Sequence, residues 1–287
     1  MDVHLITDSS ADKDALSEEV NKFPTTGQHS WAVYTSDELR EREAVAFAPY
    51  PNLQQLRNGH PCWRKVTDPV LLSEEGEELI ILDPDVYFPN RFRFEQTLDS
   101  GLLLMWQKPN CLLPPDLVSR ALKAGISLAH HVDIGVAQWR ALVELEWLDW
   151  LLGRLRAGAP LPYVMHVEAV VWAAIAMRIG GGFLHPRIWH CWRRTQLKRL
   201  LHRTGVPGSE LLRFEPFATV KCFHAGGMAK YWLEAAKQSG RMDCGNLLDQ
   251  PSPVVPFVQL TPTRYKREQR LKNMLRKCGY YRVFRSA

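Results

Sequence analysis

Long apolar runs are missing from this chain of 287 residues. No charge-free stretch exceeds 14 residues, and one of that length, Gln250 to Thr263, carries Pro251, Pro253, Pro256 and Pro262. A bilayer-spanning helix needs about 20 consecutive apolar residues, so a transmembrane helix is excluded. A secretory signal is not visible either, because Met1-Asp2-Val3-His4 has no basic segment and its apolar run is only a few residues long. The expected compartment is cytoplasmic. The six cysteines, Cys62, Cys111, Cys191, Cys222, Cys244 and Cys278, include no C-x-x-C pair and read as reduced thiols. No internal repeat, low-complexity tract or Gly/Ser-rich linker divides the chain.

What is present is a globular composition, 46% hydrophobic and 23% charged, in a chain long enough to bury a substantial core. The formal charge of +5 is unevenly placed. Arg187 to Arg203 holds six Lys/Arg and no acid, a contribution of +6. Thr261 to Ala287 holds nine Lys/Arg and one Glu, a contribution of +8, which leaves −9 for everything else. Two basic segments therefore sit on an acidic body.

The first third alternates short β-branched runs with helical or loop stretches. Val3 to Thr7 ends in Asp8-Ser9-Ser10, Trp31 to Thr35 ends in Ser36-Asp37, and Glu78 to Leu82 ends in Asp83-Pro84-Asp85. Apolar strands that stop at small polar or acidic residues suit an α/β sheet whose parallel strands deliver ligands at their carboxyl ends. Val66 to Leu72 fits a helical turn and Pro49-Tyr50-Pro51 a loop. From about Pro115 the pattern is helical: Asp116 to Ala124, Ala141 to Leu155, and His166 to Ile179, which is apolar on nearly all sides and so reads as buried. Arg264 to Lys277 reads as a basic amphipathic helix followed by Tyr280, Tyr281 and Phe284. The expected division is a body over residues 1–260 and a basic aromatic tail over 261–287.

Two constellations carry chemistry. In Ile80-Ile81-Leu82-Asp83-Pro84-Asp85, two carboxylates one residue apart follow a strand, a geometry that suits a divalent cation with open positions for a diphosphate. Alone, D-x-D describes an acidic turn equally well. In Phe223-His224-Ala225-Gly226-Gly227-Met228-Ala229-Lys230-Tyr231-Trp232, a metal-competent His, a Gly pair that lets backbone approach a phosphate and a Lys form a compact reader of metal and diphosphate.

On these residues the chain resembles the GT-A fold glycosyltransferases, a Rossmann-like mixed sheet flanked by helices. Asp83-Pro84-Asp85 looks like their D-x-D motif. His224, Gly227, Lys230 and Trp232 match the H-x-x-G-x-x-K-P-W signature of the retaining family 8 enzymes, the glycogenin and lipopolysaccharide galactosyltransferase group, with Tyr231 in place of Pro. Trp63 to Leu72 is similar to the segment leading into D-x-D, with Lys65 or Arg64 as its basic residue. His131 to Val136 is similar to the N-x-G-V strand, with Asp133 for Asn.

The resemblance implies a nucleotide-diphosphate sugar donor and Mn²⁺ or Mg²⁺ held by Asp83, Asp85 and His224. Lys230 would neutralise the departing nucleotide and Gly227 would sit against its phosphates. Asp8 and Tyr34 are candidates to hold ribose or base, with core packing the alternative for Tyr34. Glu168, in the first turn of the buried helix, either orients the sugar or caps that helix. Asp133 either contacts a substrate hydroxyl or accepts a structural hydrogen bond. The family's D-Q-D at the helix start reads His166-Val167-Glu168 here.

The Trp-rich run Trp139, Trp147, Trp150, Trp172, Trp189 and Trp192 reads mainly as core. His185, His190 and Cys191 lack a zinc spacing. The expected function is transfer of a sugar to a glycan or lipid-linked acceptor with retention, with the basic tail as a peripheral membrane contact. The alternatives are transfer to a nucleic-acid base, in which the basic segments track phosphates, and a non-enzymatic basic binding module.

Overall fold

The structure is a computed structural model that describes residues 2–22, 29–140, 143–240 and 242–280. Ala141 and Leu142, expected to start a helix, and the aromatic residues Tyr281 and Phe284 lie outside the described residues. In chain order the strands are β1 (Asp2–Thr7), β2 (Ser30–Thr35), β3 (Glu78–Leu82), β4 (Val86–Tyr87), β5 (Arg91–Phe92) and β6 (Leu102–Trp106). They continue with β7 (Val132–Arg140), β8 (Gly181–Phe183), β9 (Trp189–Cys191), β10 (Cys222–His224), β11 (Leu247–Leu248) and β12 (Val255–Pro256). The α-helices are α1 (Ser10–Asn21), α2 (Arg40–Ala46), α3 (Pro51–Arg57), α4 (Arg64–Leu72), α5 (Pro115–Lys123) and α6 (Leu145–Arg156). After them come α7 (Val167–Ile179), α8 (Gln196–Arg203), α9 (Gly208–Leu211), α10 (Leu233–Gln238) and α11 (Pro262–Lys277).

The chain is a mixed α/β structure with a central mixed sheet in the order β12-β8-β6-β7-β3. Its middle strands β6 and β7 are buried from Leu102 to Met105 and from Val132 to Trp139, as central strands covered on both faces must be. The all-round apolar helix α7 packs on β7, with Trp172 edge-to-face against Trp139 at 5.0 Å. Trp189 and Trp192 are also buried.

The expected parallel arrangement holds for β1 and β2, which pair in parallel from Asp2 opposite Ser30 to Thr7 opposite Thr35. It does not extend to β3, which runs antiparallel to β7 from Glu78 opposite Arg140 to Leu82 opposite Val136. A short apolar run satisfies either ladder, and strand direction is decided by the partner's path, which a local pattern does not record.

Two further features set up the site. The β6–β7 ladder steps from Leu104 opposite Ala137 to Met105 opposite Asp133. Ile134, Gly135 and Val136 therefore bulge from that edge, and a bulge re-aims side chains. The second feature is a buried ion cluster, in which Arg57 at the end of α3 donates to Glu43 of α2 at 2.6 Å and to Asp68 of α4 at 2.8 Å. It fixes α4 against its neighbours, and α4 carries Lys65.

The basic helix α11 starts as its sequence predicts, with Thr261 accepting from the Arg264 N–H and Pro262 in the first turn. Its Tyr265 is buried in the main core and donates to Pro115 O at 3.1 Å.

Candidate metal and diphosphate site

The two sequence constellations meet because of one strand pairing. After β3 the Asp83 N–H donates to Gly135 O at 2.9 Å, which turns the chain through Asp83-Pro84-Asp85 into β4. Strand β10 then lies antiparallel to β4, with His224 opposite Val86, and the Ala225 N–H donates to Asp85 O at 3.0 Å. His224 Nε2 reaches Asp85 Oδ1 at 3.2 Å and Asp83 Oδ2 at 3.8 Å. One ligand atom from each of Asp83, Asp85 and His224 lies within 4.8 Å of the others.

The opposite face of the imidazole is held just as closely. His224 Nδ1 lies 2.8 Å from Asp133 Oδ1, and the same carboxylate accepts the Gly135 N–H at 3.0 Å. A Cβ added at Gly135 would fall 2.5 Å from His224 Nδ1, so the glycine makes the slot the ring occupies. Asp133 accepts the Nδ1–H hydrogen bond and leaves Nε2 facing the two aspartates.

Burial works against a charged His224, yet the Asp133 carboxylate and the hydrogen bonds to Asp133, Asp85 and Cys191 outweigh it and raise the pKa well above the ordinary value. Burial likewise works against an ionised Asp133, but the facing His224 holds it below the usual range. Asp85 is also lowered, because His224 and Lys230 overcome its burial. A cation held by these carboxylates and Nε2 would take the place of an Nε2 proton, so binding there would release protons.

A second ion cluster adjoins the first. Lys65 Nζ lies 2.6 Å from Asp83 Oδ1 and 3.0 Å from Glu168 Oε1. Burial disfavours the Lys65 ammonium, but two facing carboxylates keep it charged and raise its pKa. Burial also raises Asp83, against the pull of Lys65. Glu168 is pushed up to about 8: burial dominates, Lys65 opposes it, and the charges of Asp83 and Asp133 add to it. Its Oε2 is buried with no hydrogen-bond partner. Glu168 does not cap α7, whose first turn has no side-chain cap; it turns to Lys65 instead.

The remaining candidates divide. Lys230 is exposed and lies close enough to Asp85 to lower its pKa. Gly227 has φ +68°, a conformation that glycine adopts without strain. Trp232 anchors the turn in a second core, edge-to-face on Trp192 at 5.5 Å. Asp8 pairs with Arg64, the neighbour of Lys65 on α4. Tyr34 stacks on His4 at 5.6 Å and packs against the main core. Arg64 and Lys65 thus serve different partners.

Cys191 was not expected here. Parallel pairing of β9 with β10 puts it opposite His224, within 4.8 Å of Asp133 and His224 ligand atoms. No local spacing announces a neighbour made by strand pairing. Burial pushes its thiol up to about 12, and with Asp133 and His224 it makes a second, fully buried group of possible ligand atoms.

The donor set that fits a divalent cation is therefore Asp83, Asp85 and His224, two hard carboxylates and an imidazole whose tautomer is fixed. Carboxylate oxygens with one imidazole are donors a divalent cation can use. Among the described residues no helix is long and apolar enough to cross a membrane.

No family model matches the chain, and no curated protein matches it. Among solved structures, the apo form of mouse xyloside xylosyltransferase 1 is similar at 9% identity with a TM-score of 0.47, covering 79% of this chain and 85% of that one.

Proposed function

We propose that the protein is a metal-dependent GT-A type glycosyltransferase that moves a sugar from a nucleotide-diphosphate donor to a glycan or lipid-linked acceptor, with retention. The observation that carries this reading is the convergence of Asp83, Asp85 and His224 within 4.8 Å, beside a buried Lys65–Glu168 pair. In this reading residues 1–260 are the catalytic body and 261–287 its basic tail.

Cleavage of a sugar–phosphate bond leaves negative charge on the diphosphate, so the site must supply positive charge at that position. Asp83, Asp85 and His224 would hold Mn²⁺ or Mg²⁺, which would supply Lewis-acid charge for the donor's diphosphate. Lys230 adds a mobile ammonium from the exposed turn, and Gly226 and Gly227 let that turn approach the phosphates. Asp8 and Tyr34, on the β1–β2 side, hold the nucleoside.

Glu168 is the sugar-side carboxyl in this reading, placed to bond a donor hydroxyl. Lys65 ties Glu168 to Asp83, so the sugar-side and phosphate-side carboxylates keep a fixed relation. Asp133 acts through His224, whose Nδ1 its Oδ1 faces at 2.8 Å.

The test is a thermal-shift screen of nucleoside diphosphate sugars with and without Mn²⁺, since a bound donor raises Tm by mass action. Asp83→Asn and Asp85→Asn should abolish the Mn²⁺-dependent shift and any donor hydrolysis. Nucleotide binding that never depends on Mn²⁺ sinks the reading.

A further inference from the structure

Arg193 is a guanidinium without a counter-ion. It follows the end of β9 by two residues, and its backbone is fixed there, because Arg193 O accepts from the Thr195 N–H at 3.0 Å and from Lys198 Nζ at 3.2 Å. The half-buried side chain lies over Trp106, 4.7 Å from the ring centroid. Its Nε is buried with no hydrogen-bond partner, and none of the ion pairs among the described residues includes it. An indole face attracts a cation but does not satisfy five N–H donors. A cation drawn out of water without its carboxylate is costly until an anion completes it.

A second cation stands along the same strip. Trp106 is followed by Gln107, whose Oε1 accepts from the Cys111 thiol at 2.7 Å and whose carbonyl lies 3.0 Å from His131 Nδ1. Lys272 of α11 is close enough to act electrostatically on both Cys111 and His130. It is half-buried, and among the described residues it makes no hydrogen bond or ion pair. Lys272 shares a helix face with Glu268, four residues before it. That carboxylate is already engaged, 3.0 Å from His130 Nε2 and 3.6 Å from Arg264 Nε.

The strip adjoins the metal ligands on one particular side. Cys191, two residues before Arg193, lies opposite His224, and Met105, next to Trp106, lies opposite Asp133. The His224 ring has Asp83 and Asp85 at Nε2 and Asp133 at Nδ1. Lys230 belongs to the Nε2 side, where it acts on Asp85. Residues two apart on extended backbone share a side, so Arg193 continues the Nδ1 side that Cys191 begins.

We propose that Arg193 and Lys272 form an anion subsite for a phosphate group on the acceptor, an assignment that rests on the transferase reading of the adjoining metal site. The donor's own diphosphate is met from the Nε2 side, by the cation and Lys230, so cations on the Nδ1 side answer a second phosphate. The Arg193 fork suits two phosphate oxygens, and Lys272 adds a point charge. A phosphorylated saccharide and a lipid phosphate both offer that group.

The test is calorimetric titration of the full chain, without added metal, with inorganic phosphate in chloride buffer. Phosphate is expected to bind, and Arg193→Gln and Lys272→Gln should each weaken it at least about tenfold. If Arg193→Gln lowers Tm, Lys272→Gln carries the test, because among the described residues Lys272 bonds to none. Glucose 6-phosphate and geranyl phosphate separate the sources: tighter binding of the first names a phosphorylated saccharide, tighter binding of the second a lipid phosphate, and either supports the subsite. No phosphate binding, or equal affinity in wild type and both variants, overturns the proposal. Weakening by Lys230→Gln alone, or loss of the Mn²⁺-dependent nucleoside diphosphate shift in Arg193→Gln, overturns it too and assigns the anion to the donor. Phosphate binding as expected with no Mn²⁺-dependent nucleotide binding sinks the transferase reading, and the acceptor assignment with it, while the anion subsite stands.

Discussion

Asp133 Oδ1 stands 2.8 Å from His224 Nδ1, and through that contact Asp133 holds the ring with Nε2 toward Asp83 and Asp85. Histidines that ligate metals commonly have such a carboxylate behind them, and its loss costs about 10–100-fold in affinity. Asp133→Asn should weaken Mn²⁺ binding by about that factor in calorimetry while the protein stays folded. Unchanged affinity would return Asp133 to the substrate side of the site.

Gly135→Ala tests the slot for the imidazole. The new methyl would lie 2.5 Å from His224 Nδ1, between ring and bulge, so the ring has to move. The expected cost is about 1–3 kcal/mol of stability, read as a lower urea midpoint, together with loss of Mn²⁺ binding.

Arg57 neutralises two carboxylates in a nearly dry place. Arg57→Met leaves Glu43 and Asp68 buried without their cation, and the expected loss is about 3–5 kcal/mol in urea unfolding. Replacing all three with apolar residues of similar volume should recover much of it, because the penalty comes from orphaned charge.

The His130–His131 stack predicts a pH response. Burial, with Arg264 and Lys272 adding to it for His130 and with His130 and Arg264 adding to it for His131, holds each ring down at about 4, and at His131 the Gln107 carbonyl and Glu268 oppose the shift. In the unfolded chain both titrate near about 6.5. Between these values the unfolded state binds more protons, so stability rises with pH across the window and is lost as pH falls from neutrality toward 4. The loss for the fully buried His130 is on the order of 2–3 kcal/mol by about pH 4.5, and smaller for His131. His130→Gln should flatten the dependence of the urea midpoint on pH over that interval.

Much of this architecture was legible in local pattern. Strand ends at Thr7, Thr35 and Leu82, the buried helix ending at Ile179 and the basic helix ending at Lys277 follow from apolar period and breakers. The D-x-D turn and the His224 turn were legible as chemistry, because each carries its donors within a few residues. What was not legible arises from strand pairing: the antiparallel β3, Cys191 opposite His224, and the bulge that turns Asp133 behind the ring. Lys65 was picked out by likeness to a segment, but its pairing with Glu168 depends on how α4 and α7 meet.

Strand β10 lies between β4 and β9, and this has a consequence for when the site exists. Asp83 and Asp85 leave the ribosome long before His224, and until β10 inserts they form only an acidic turn beside Lys65. The imidazole arrives together with the hydrogen bonds that complete the small sheet, so a chain stopped before Cys222 lacks both the ligand and the strand that carries it. A cation bound by all three residues would then act as a clasp between early and late parts of the polypeptide, and its affinity would report how completely the chain has closed.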